Sequence, residues 1–333
     1  YYNKLKPTKD FISFASFVSF FPQLVAGPIE RASNLLPQIL KKRKFNYNQG
    51  VEGLRLIVWG MFKKVVIADN CTFFVDDIFT NYGNYDSFIL LFGAIYFSLQ
   101  IYCDFSGYSD IAIGVSRLFG FKLMINFNFP YFSSNIGEFW KRWHISLSSW
   151  FRDYLYIPLG GSRVPFFRKI RNIFIIFVVS GFWHGANLTF IVWGIIHSLF
   201  YLLYLLYLYF FQNKIFINKI YLLYPLKLLK IVITFLSVLI AWIFFRSDNV
   251  ILSLDYIFRM FSNFKINSLL NYRNPLTEGM IFEPLIVIFI FIIFEIRLYF
   301  NNKFNDLALI ILILCTIYFG NFFNPSDFIY FQF

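Results

Sequence analysis

The sequence predicts an all-α protein, a polytopic transmembrane helical bundle with re-entrant and interfacial helices, and three observations carry that expectation. Hydrophobic residues make up 58% of the 333-residue chain and charged residues only 14%, whereas a soluble globule carries about a quarter charged residues. The mean hydropathy is +0.60. Long uncharged stretches alternate with short clusters of Lys and Arg, the pattern left by spans that end at an anionic cytoplasmic leaflet. The net charge of +12 therefore reads as membrane orientation and not as a nucleic-acid footprint. Cys71, Cys103 and Cys315 are widely spaced and form no CxxC pair, so neither a disulfide framework nor a zinc site is expected.

Taken in order, Tyr1 to Asp10 is polar and basic, with neither Met nor a signal sequence. Phe11 to Ile29 is uncharged for 19 residues, near the ~20 needed to span hydrocarbon. Pro22 and Gly27-Pro28 interrupt it, which predicts a kinked or re-entrant element. Lys41-Lys42-Arg43-Lys44 then marks cytoplasm. From Val51 to Ala68, Glu52, Arg55, Lys63 and Lys64 interrupt the apolar pattern and predict a helix with one polar face, lying at the interface or tilted against protein. No Lys or Arg occurs between Val65 and Ser116. The 69–86 segment is accordingly expected as an extracytoplasmic loop, and Ser87 to Cys103 as a span. The polar, glycine-containing run Tyr102 to Asp110 should end that span, with a short helix following to Phe121.

Leu123 to Gly137 holds Asn126, Asn128, Pro130, Ser133, Ser134 and Asn135, the chemistry of a long buried loop. Asn135 or Ser134 can cap a helix starting near Gly137, with Phe139 to His144 as its first two turns. Asn172 to Asn213 contains no Asp, Glu, Lys or Arg and should hold two spans joined near Gly181 to Asn187. If the first starts at Asn172, His184 lies about 18 Å along it at ~1.5 Å per residue, recessed within a hydrocarbon layer of ~30 Å. Lys214, Lys219, Lys227 and Lys230 return the chain to the cytoplasm. A short span is expected over Ile231 to Phe245, an amphipathic helix around Ile251 to Phe261 in an extracytoplasmic connection, and two further spans over Met280 to Ile296 and Leu307 to Phe323. The tail Phe328 to Phe333 is aromatic and interfacial in character. No internal repeat is visible.

Chemistry concentrates between Asn126 and Asn187, which holds two of the three histidines. His184 follows Trp183 and sits between Gly181 and Gly185; a neutral imidazole there could serve as general base to a hydroxyl, or be a histidine bonded across helices. His144 could orient it, act as a second base, contact substrate or pack at the interface. His197, on one face of a span, reads as structural. Lys141, Arg142, Arg152 and Arg163 suit a phosphorylated donor and equally suit lipid headgroups. Nothing in the histidine spacing indicates a metal site.

The motifs go further. Phe20-Phe-Pro-Gln-Leu-Val-Ala-Gly-Pro-Ile-Glu-Arg31, Tyr102-Cys-Asp-Phe-Ser-Gly-Tyr-Ser-Asp110, Asn126-Phe-Asn-Phe-Pro-Tyr131, Phe139-Trp-Lys-Arg-Trp-His-Ile-Ser-Leu-Ser148, Arg152-Asp-Tyr-Leu-Tyr-Ile-Pro-Leu-Gly-Gly161 and Ser180-Gly-Phe-Trp-His-Gly-Ala186 together resemble the membrane-bound O-acyltransferase superfamily, in its bacterial alginate O-acetylation branch. The resemblance implies a single membrane-embedded acyltransferase domain over 1–333 built around a central tunnel, missing the family's usual N-terminal transmembrane helices. It makes His184 the essential catalytic residue and His144 the second motif histidine, with Trp183, Asn126, Ser146, Arg152, Lys141 and Arg142 as substrate-binding candidates. No cofactor is expected to stay bound. The donor would be a cytoplasmic acyl thioester, acetyl-CoA by expectation, and the acceptor an extracytoplasmic polysaccharide such as alginate, reached through an SGNH-hydrolase-like partner. The lipid bilayer is the remaining partner, nucleic acid is not one, and the location would be the cell (inner) membrane. Two alternatives stay open: D-alanyl transfer to teichoic acid, and a transporter or channel without chemistry.

Overall fold

The computed structural model describes residues 8–211, 220–262, 264, 271–275, 279–301, 305–323 and 325–329. Lys214, Lys219 and the tail from Tyr330 onward, on which expectations were placed above, lie outside the described residues. Among the described residues the regular structure is helical, apart from one isolated bridge between Arg273 and Met280. Among the described residues, four helices are long and apolar enough to cross a membrane: Ser87–Leu118, Leu188–Phe210, Pro225–Arg246 and Pro284–Asn301. This is a helical membrane bundle, as the composition demands. The chain divides into two compact units, each drawn from separated stretches of sequence.

The first unit comprises residues up to Asn70, Ile101–Asn126 and Val287–Gln332. The interrupted N-terminal stretch forms α1 (Phe11–Val18) and a 3-10 turn over Phe21–Gln23 in place of a span; Pro22 sits in that turn, as its fixed φ allows. After α2 (Ala32–Leu40) comes α3 (Tyr47–Met61), which widens into a π-helical turn over Phe62–Ala68 and runs on into α4 (Asp69–Thr80). The expected 69–86 loop is thus mostly helix. Nor does the 51–68 helix offer Lys63 and Lys64 to headgroups. Lys63 Nζ bonds Asp110 Oδ2 at 2.6 Å and Ser106 Oγ at 2.9 Å, while Lys64 Nζ bridges Asp69 at 2.8 Å and Asp104 at 2.9 Å.

These pairs explain a second departure. The expected break between Tyr102 and Asp110 does not exist: α5 runs unbroken from Ser87 to Leu118. Its polar residues are satisfied by neighbouring elements, Asp104 also accepting from the Ile329 N–H at 2.7 Å and Ser109 receiving the Asn126 amide at 3.0 Å. Its Gly107 is a contact point and no hinge. A Cβ at Gly60 would stand 2.5 Å from the Gly107 carbonyl oxygen, and one at Gly107 would stand 2.8 Å from that of Gly60. The same reciprocal approach recurs seven residues away at Gly53 and Gly114, a small-residue seam of the kind that lets membrane helices meet backbone to backbone. Gly60→Val should therefore force α3 and α5 apart and cost about 1–3 kcal/mol, read as a lower unfolding midpoint in detergent. Of the two C-terminal spans expected here, α12 (Pro284–Asn301) is long and apolar enough to cross a membrane, whereas α13 (Asp306–Phe319) is a shorter apolar helix of 14 residues.

The second unit comprises Cys71–Gln100 and Phe127–Ile286. The long buried loop expected over Leu123 to Gly137 is only partly so: Asn126 and Ser133 are almost fully enclosed, but Ile125 is 50% exposed, Pro130–Phe132 forms a 3-10 turn and a helix begins at Ile136. Helix α6 (Ile136–Arg142) starts with a reciprocal cap: Asn135 Oδ1 accepts from the Glu138 N–H at 2.8 Å, and Glu138 Oε2 accepts from the Ser134 N–H at 2.8 Å. Helix α7 (Ile145–Phe151) passes into a π turn over Arg152–Tyr156. The turn that follows needs glycine at Gly160 and Gly161, whose φ values are +98° and +57°, and Asn172 ties it down by donating to the Leu159 carbonyl at 3.0 Å.

The expected pair of spans appears as α8 (Phe166–His184) and α9 (Leu188–Phe211). Helix α8 begins six residues before Asn172, taking in the basic turn of Arg168, Lys169 and Arg171, and ends on His184 itself. The two helices touch closely, since a Cβ at Gly181 would lie 2.3 Å from the Phe190 carbonyl oxygen. The next helix, α10 (Ile220–Arg246), extends eleven residues further towards the N-terminus than the short span expected, carrying Pro225 within it. Helix α11 (Val250–Ser262) matches the amphipathic helix anticipated near 251–261.

Candidate active site

His144 does not lie inside a helix. It occupies the break between α6 and α7 with φ 43° and ψ 55°, one of two non-glycine residues at positive φ among the described residues; the other, Phe129, lies in the loop before α6. Histidine tolerates the left-handed region better than most side chains, and such outliers cluster where function requires a particular presentation. The side chain is 4% exposed and stacks on Phe127 at 6.5 Å.

His184, the last residue of α8, is half-buried in a box of rings: Trp183, Trp193 and Phe245 each stand edge-on to it at 5.2 Å, with Phe190 at 6.5 Å. The two imidazoles, forty residues apart in sequence, come within electrostatic reach. Burial, and secondarily the His184 ring, holds the His144 pKa well below its ordinary 6.5. Unfolded, His144 takes up a proton near pH 6.5; folded, it does so only at lower pH. Acid therefore favours the unfolded chain. The thermal midpoint is expected to fall as pH drops below about 6.5, and less so in His144→Asn, which suits the same backbone.

The same unit holds a cavity of about 390 Å³, a volume within the ~300–1,000 Å³ of small-molecule sites. It reaches Ile145, adjacent to His144, and Ser180, one helical turn before His184. Its walls are mainly apolar, with Trp140, Phe177 and Tyr201 among them, and Lys141 and Arg152 stand on its lining together with the hydroxyl-bearing Ser148, Ser149 and Ser180. His197 stands behind this wall. It is fully buried, accepts from Trp140 Nε1 through Nδ1 at 3.3 Å, and lies between the rings of Phe139 and Phe177, in line with the structural reading of that residue.

Of the candidates named from sequence, His144 and His184 lie within electrostatic reach of each other, and Lys141 and Arg152 line the cavity. Ser146 is enclosed in the first turn of α7. Trp183 is 53% exposed and touches His184 by its ring edge. Arg142 is not on the cavity: its guanidinium bonds Glu138 at 2.7 Å and reaches towards the carbonyls of Asn128 and Phe129 at 3.4 Å. Asn126 belongs to the first unit, where it bonds Ser109. Sequence reading passed over Trp193, Phe245 and Tyr201. None carries a local signal, because α9 and α10 are apolar all round and periodicity marks no functional face there.

The described residues are those of a helical membrane protein with two histidines, one at a helix end and one at a helix break, near a cavity lined in part by Lys141 and Arg152. Residues 2–245 match the model of the MBOAT, membrane-bound O-acyltransferase family. The chain belongs to that family. It is 44% identical over 241 residues to a peptidoglycan O-acetyltransferase of Helicobacter pylori, covering 72% of this chain and 44% of the relative. It is 43% identical over 246 residues to a probable alginate O-acetylase, AlgI, of Pseudomonas aeruginosa, covering 73% and 44%. Similarity at 33% identity over 195 residues extends to a teichoic acid D-alanyltransferase of Bacillus subtilis, covering 55% and 48%. The chain spans about half the length of the relatives it matches.

Proposed function

We propose that this protein transfers an acyl group, acetyl in the first instance, from a cytoplasmic thioester to a hydroxyl destined for an extracytoplasmic polysaccharide. The observation that supports the reading is that His144 and His184 come within electrostatic reach of each other, with Ile145 and Ser180, close to them in the chain, lining a 390 Å³ cavity. His184 takes the proton of the acceptor hydroxyl as its oxygen attacks the thioester carbonyl carbon. The C–S bond then breaks, and the proton passes to the departing thiolate, leaving an ester and a thiol. A neutral His144 helps, since a second positive charge would oppose protonation of His184.

Lys141 and Arg152 suit the phosphates of acetyl-CoA, which is the donor we favour, and Trp183 packs edge-on against His184, with Ser146 kept as a substrate-binding candidate. The O-acetylase names of the nearer relatives support acetyl transfer to a glycan. An SGNH-hydrolase-like partner on the outer side would complete delivery, and the protein would reside in the cytoplasmic (inner) membrane. The D-alanyltransferase likeness supports a second reading, with a carrier-protein thioester as donor.

The test is acetyl-CoA consumption by the protein in lipid nanodiscs with a hydroxyl acceptor. Lys141→Glu combined with Arg152→Glu should raise KM for acetyl-CoA at least tenfold with a smaller change in kcat, as loss of phosphate contacts predicts. Acetyl-CoA left intact while a carrier-bound D-alanyl thioester is consumed would select the second reading.

A further inference from the structure

A groove of about 240 Å³ in the second unit has no part in the scheme above. Phe200, Leu203 and Tyr204 of α9 line it, with Lys230 and Ile233 of α10 and the chain around Ser134 before α6. Both α9 and α10 are helices long and apolar enough to cross a membrane. Leu203 is 62% and Ile233 54% exposed, so in a bilayer this surface meets acyl chains. The hydroxyls of the groove are already engaged: Thr234 Oγ1 donates to the Lys230 carbonyl at 2.8 Å, Ser237 Oγ to the Ile233 carbonyl at 2.9 Å and Ser134 Oγ to Glu138 Oε2 at 2.8 Å. Hydroxyls turned back on their own backbone leave a wall that behaves as apolar.

Lys230 is the charged residue among the described lining residues, which include no carboxylate. Lys227 precedes it by three residues, a spacing that puts both side chains on one helix face. Both are exposed, and neither ammonium has an ion pair or hydrogen bond among the described residues. Glu138, the carboxylate of the adjoining α6, is held by Arg142 at 2.7 Å. From the Pro225 end of the span, Lys230 lies about 8 Å in and Ser237 about 10 Å deeper, at ~1.5 Å per residue. A lysine at that depth extends its ammonium to the headgroup level. The positive-inside rule puts this end at the cytoplasmic leaflet, whose lipids are anionic. An apolar channel with two free ammonium groups at its mouth matches an acyl chain below a phosphate. A choline headgroup would set a third cation beside the lysines, whereas an anionic headgroup would not.

The groove shares a wall with the larger cavity. Tyr204 lines the one and Tyr201 the other, their rings 6.0 Å apart. Gly137 also lines the larger cavity, and a Cβ there would stand 2.6 Å from Tyr204 Cε1.

We propose that the groove holds an acyl chain of an anionic phospholipid whose phosphate pairs with Lys227 and Lys230, and that this lipid braces Tyr204 against the first turn of α6. The bracing rests on the acyl-transfer reading for its effect on rate; the binding claim stands apart from it. Native mass spectrometry of the protein released from nanodiscs of equal phosphatidylglycerol and phosphatidylcholine tests the binding. Phosphatidylglycerol should be retained about tenfold over phosphatidylcholine, as two lysines near the headgroups predict. Lys227→Gln combined with Lys230→Gln should abolish that preference. Lys41→Gln combined with Lys42→Gln, an equal loss of charge in another basic cluster, should leave it unchanged. Ile233→Trp, which fills the groove, should lower retention of both lipids, and excess glycerol phosphate should displace neither. Equal retention of the two lipids, an unchanged preference in the Lys227/Lys230 double variant, full retention in Ile233→Trp, or displacement by glycerol phosphate overturns the lipid site. Acyl transfer should run several-fold slower in phosphatidylcholine nanodiscs than in phosphatidylglycerol ones, and the Lys227/Lys230 double variant should be slow in both. Selective retention with equal rates in the two nanodiscs overturns the bracing. Selective retention in a protein that transfers no acyl group would instead overturn the transfer reading and leave the lipid site standing.

Discussion

His184→Ala is expected to lower acyl transfer by about 10²- to 10⁴-fold, the usual contribution of a positioned general base, while membrane insertion and folding persist. The expectation of a folded variant follows from where the residue sits. His184 closes α8, is half-buried, and is surrounded by rings that pack on one another as well as on it: Trp193 meets Phe245 at 5.4 Å and Phe190 meets Phe245 at 4.9 Å. The box therefore outlasts removal of the imidazole. His184→Gln is the useful companion, because it keeps a hydrogen-bonding side chain of similar reach and removes proton exchange. Both variants should fail alike in a donor-consumption assay. Activity within tenfold of the unaltered protein in either would remove the general-base role.

Lys64→Met is expected to be the most damaging single change to the fold. Lys64 is the shared counter-ion of Asp69 and Asp104, whose side chains are 0% and 3% exposed. Removing one partner of a buried ion pair leaves an uncompensated charge and costs about 3–5 kcal/mol, a large share of a stability that is typically ~5–15 kcal/mol. The variant should show a sharply reduced unfolding midpoint or fail to accumulate in membranes. Replacing Lys64, Asp69 and Asp104 together by apolar residues should recover much of the loss, since the damage comes from the stranded carboxylates and not from the absent ammonium. A single variant as stable as the unaltered protein would mean that these carboxylates are not charged in the fold.

Most of the helices were legible in the sequence because uncharged length is an intrinsic property of a segment. The pair α8 and α9, the capped start of α6 and the amphipathic α11 all follow from local residues. What was illegible depended on partners far along the chain. Tyr102 to Asp110 looked like a helix-ending turn, yet Lys63, Lys64 and the Ile329 N–H satisfy its polar groups and allow α5 to continue. The glycine seam went unread: Gly107 counted only as part of a helix-ending run, whereas Gly60 and Gly107 mark a close approach of two helices. In the candidate site, the histidines announced themselves by being ionisable among apolar neighbours. Their left-handed or helix-terminal backbone, and the aromatic walls from α9 and α10, arise from tertiary packing that no local pattern encodes.

The π turn over Phe62–Ala68 makes the chain sensitive to length as well as to identity. An extra residue is accommodated in such a turn, and here it sets the angular phase between Lys63 and Lys64, near its start, and Asp69 at the start of α4. Deleting one residue within it would restore an ordinary α-helix and rotate everything downstream by about 100°, swinging Asp69 away from Lys64 with no amino acid in the ion cluster altered. Conservative exchanges in this segment should accordingly be far better tolerated than a one-codon deletion.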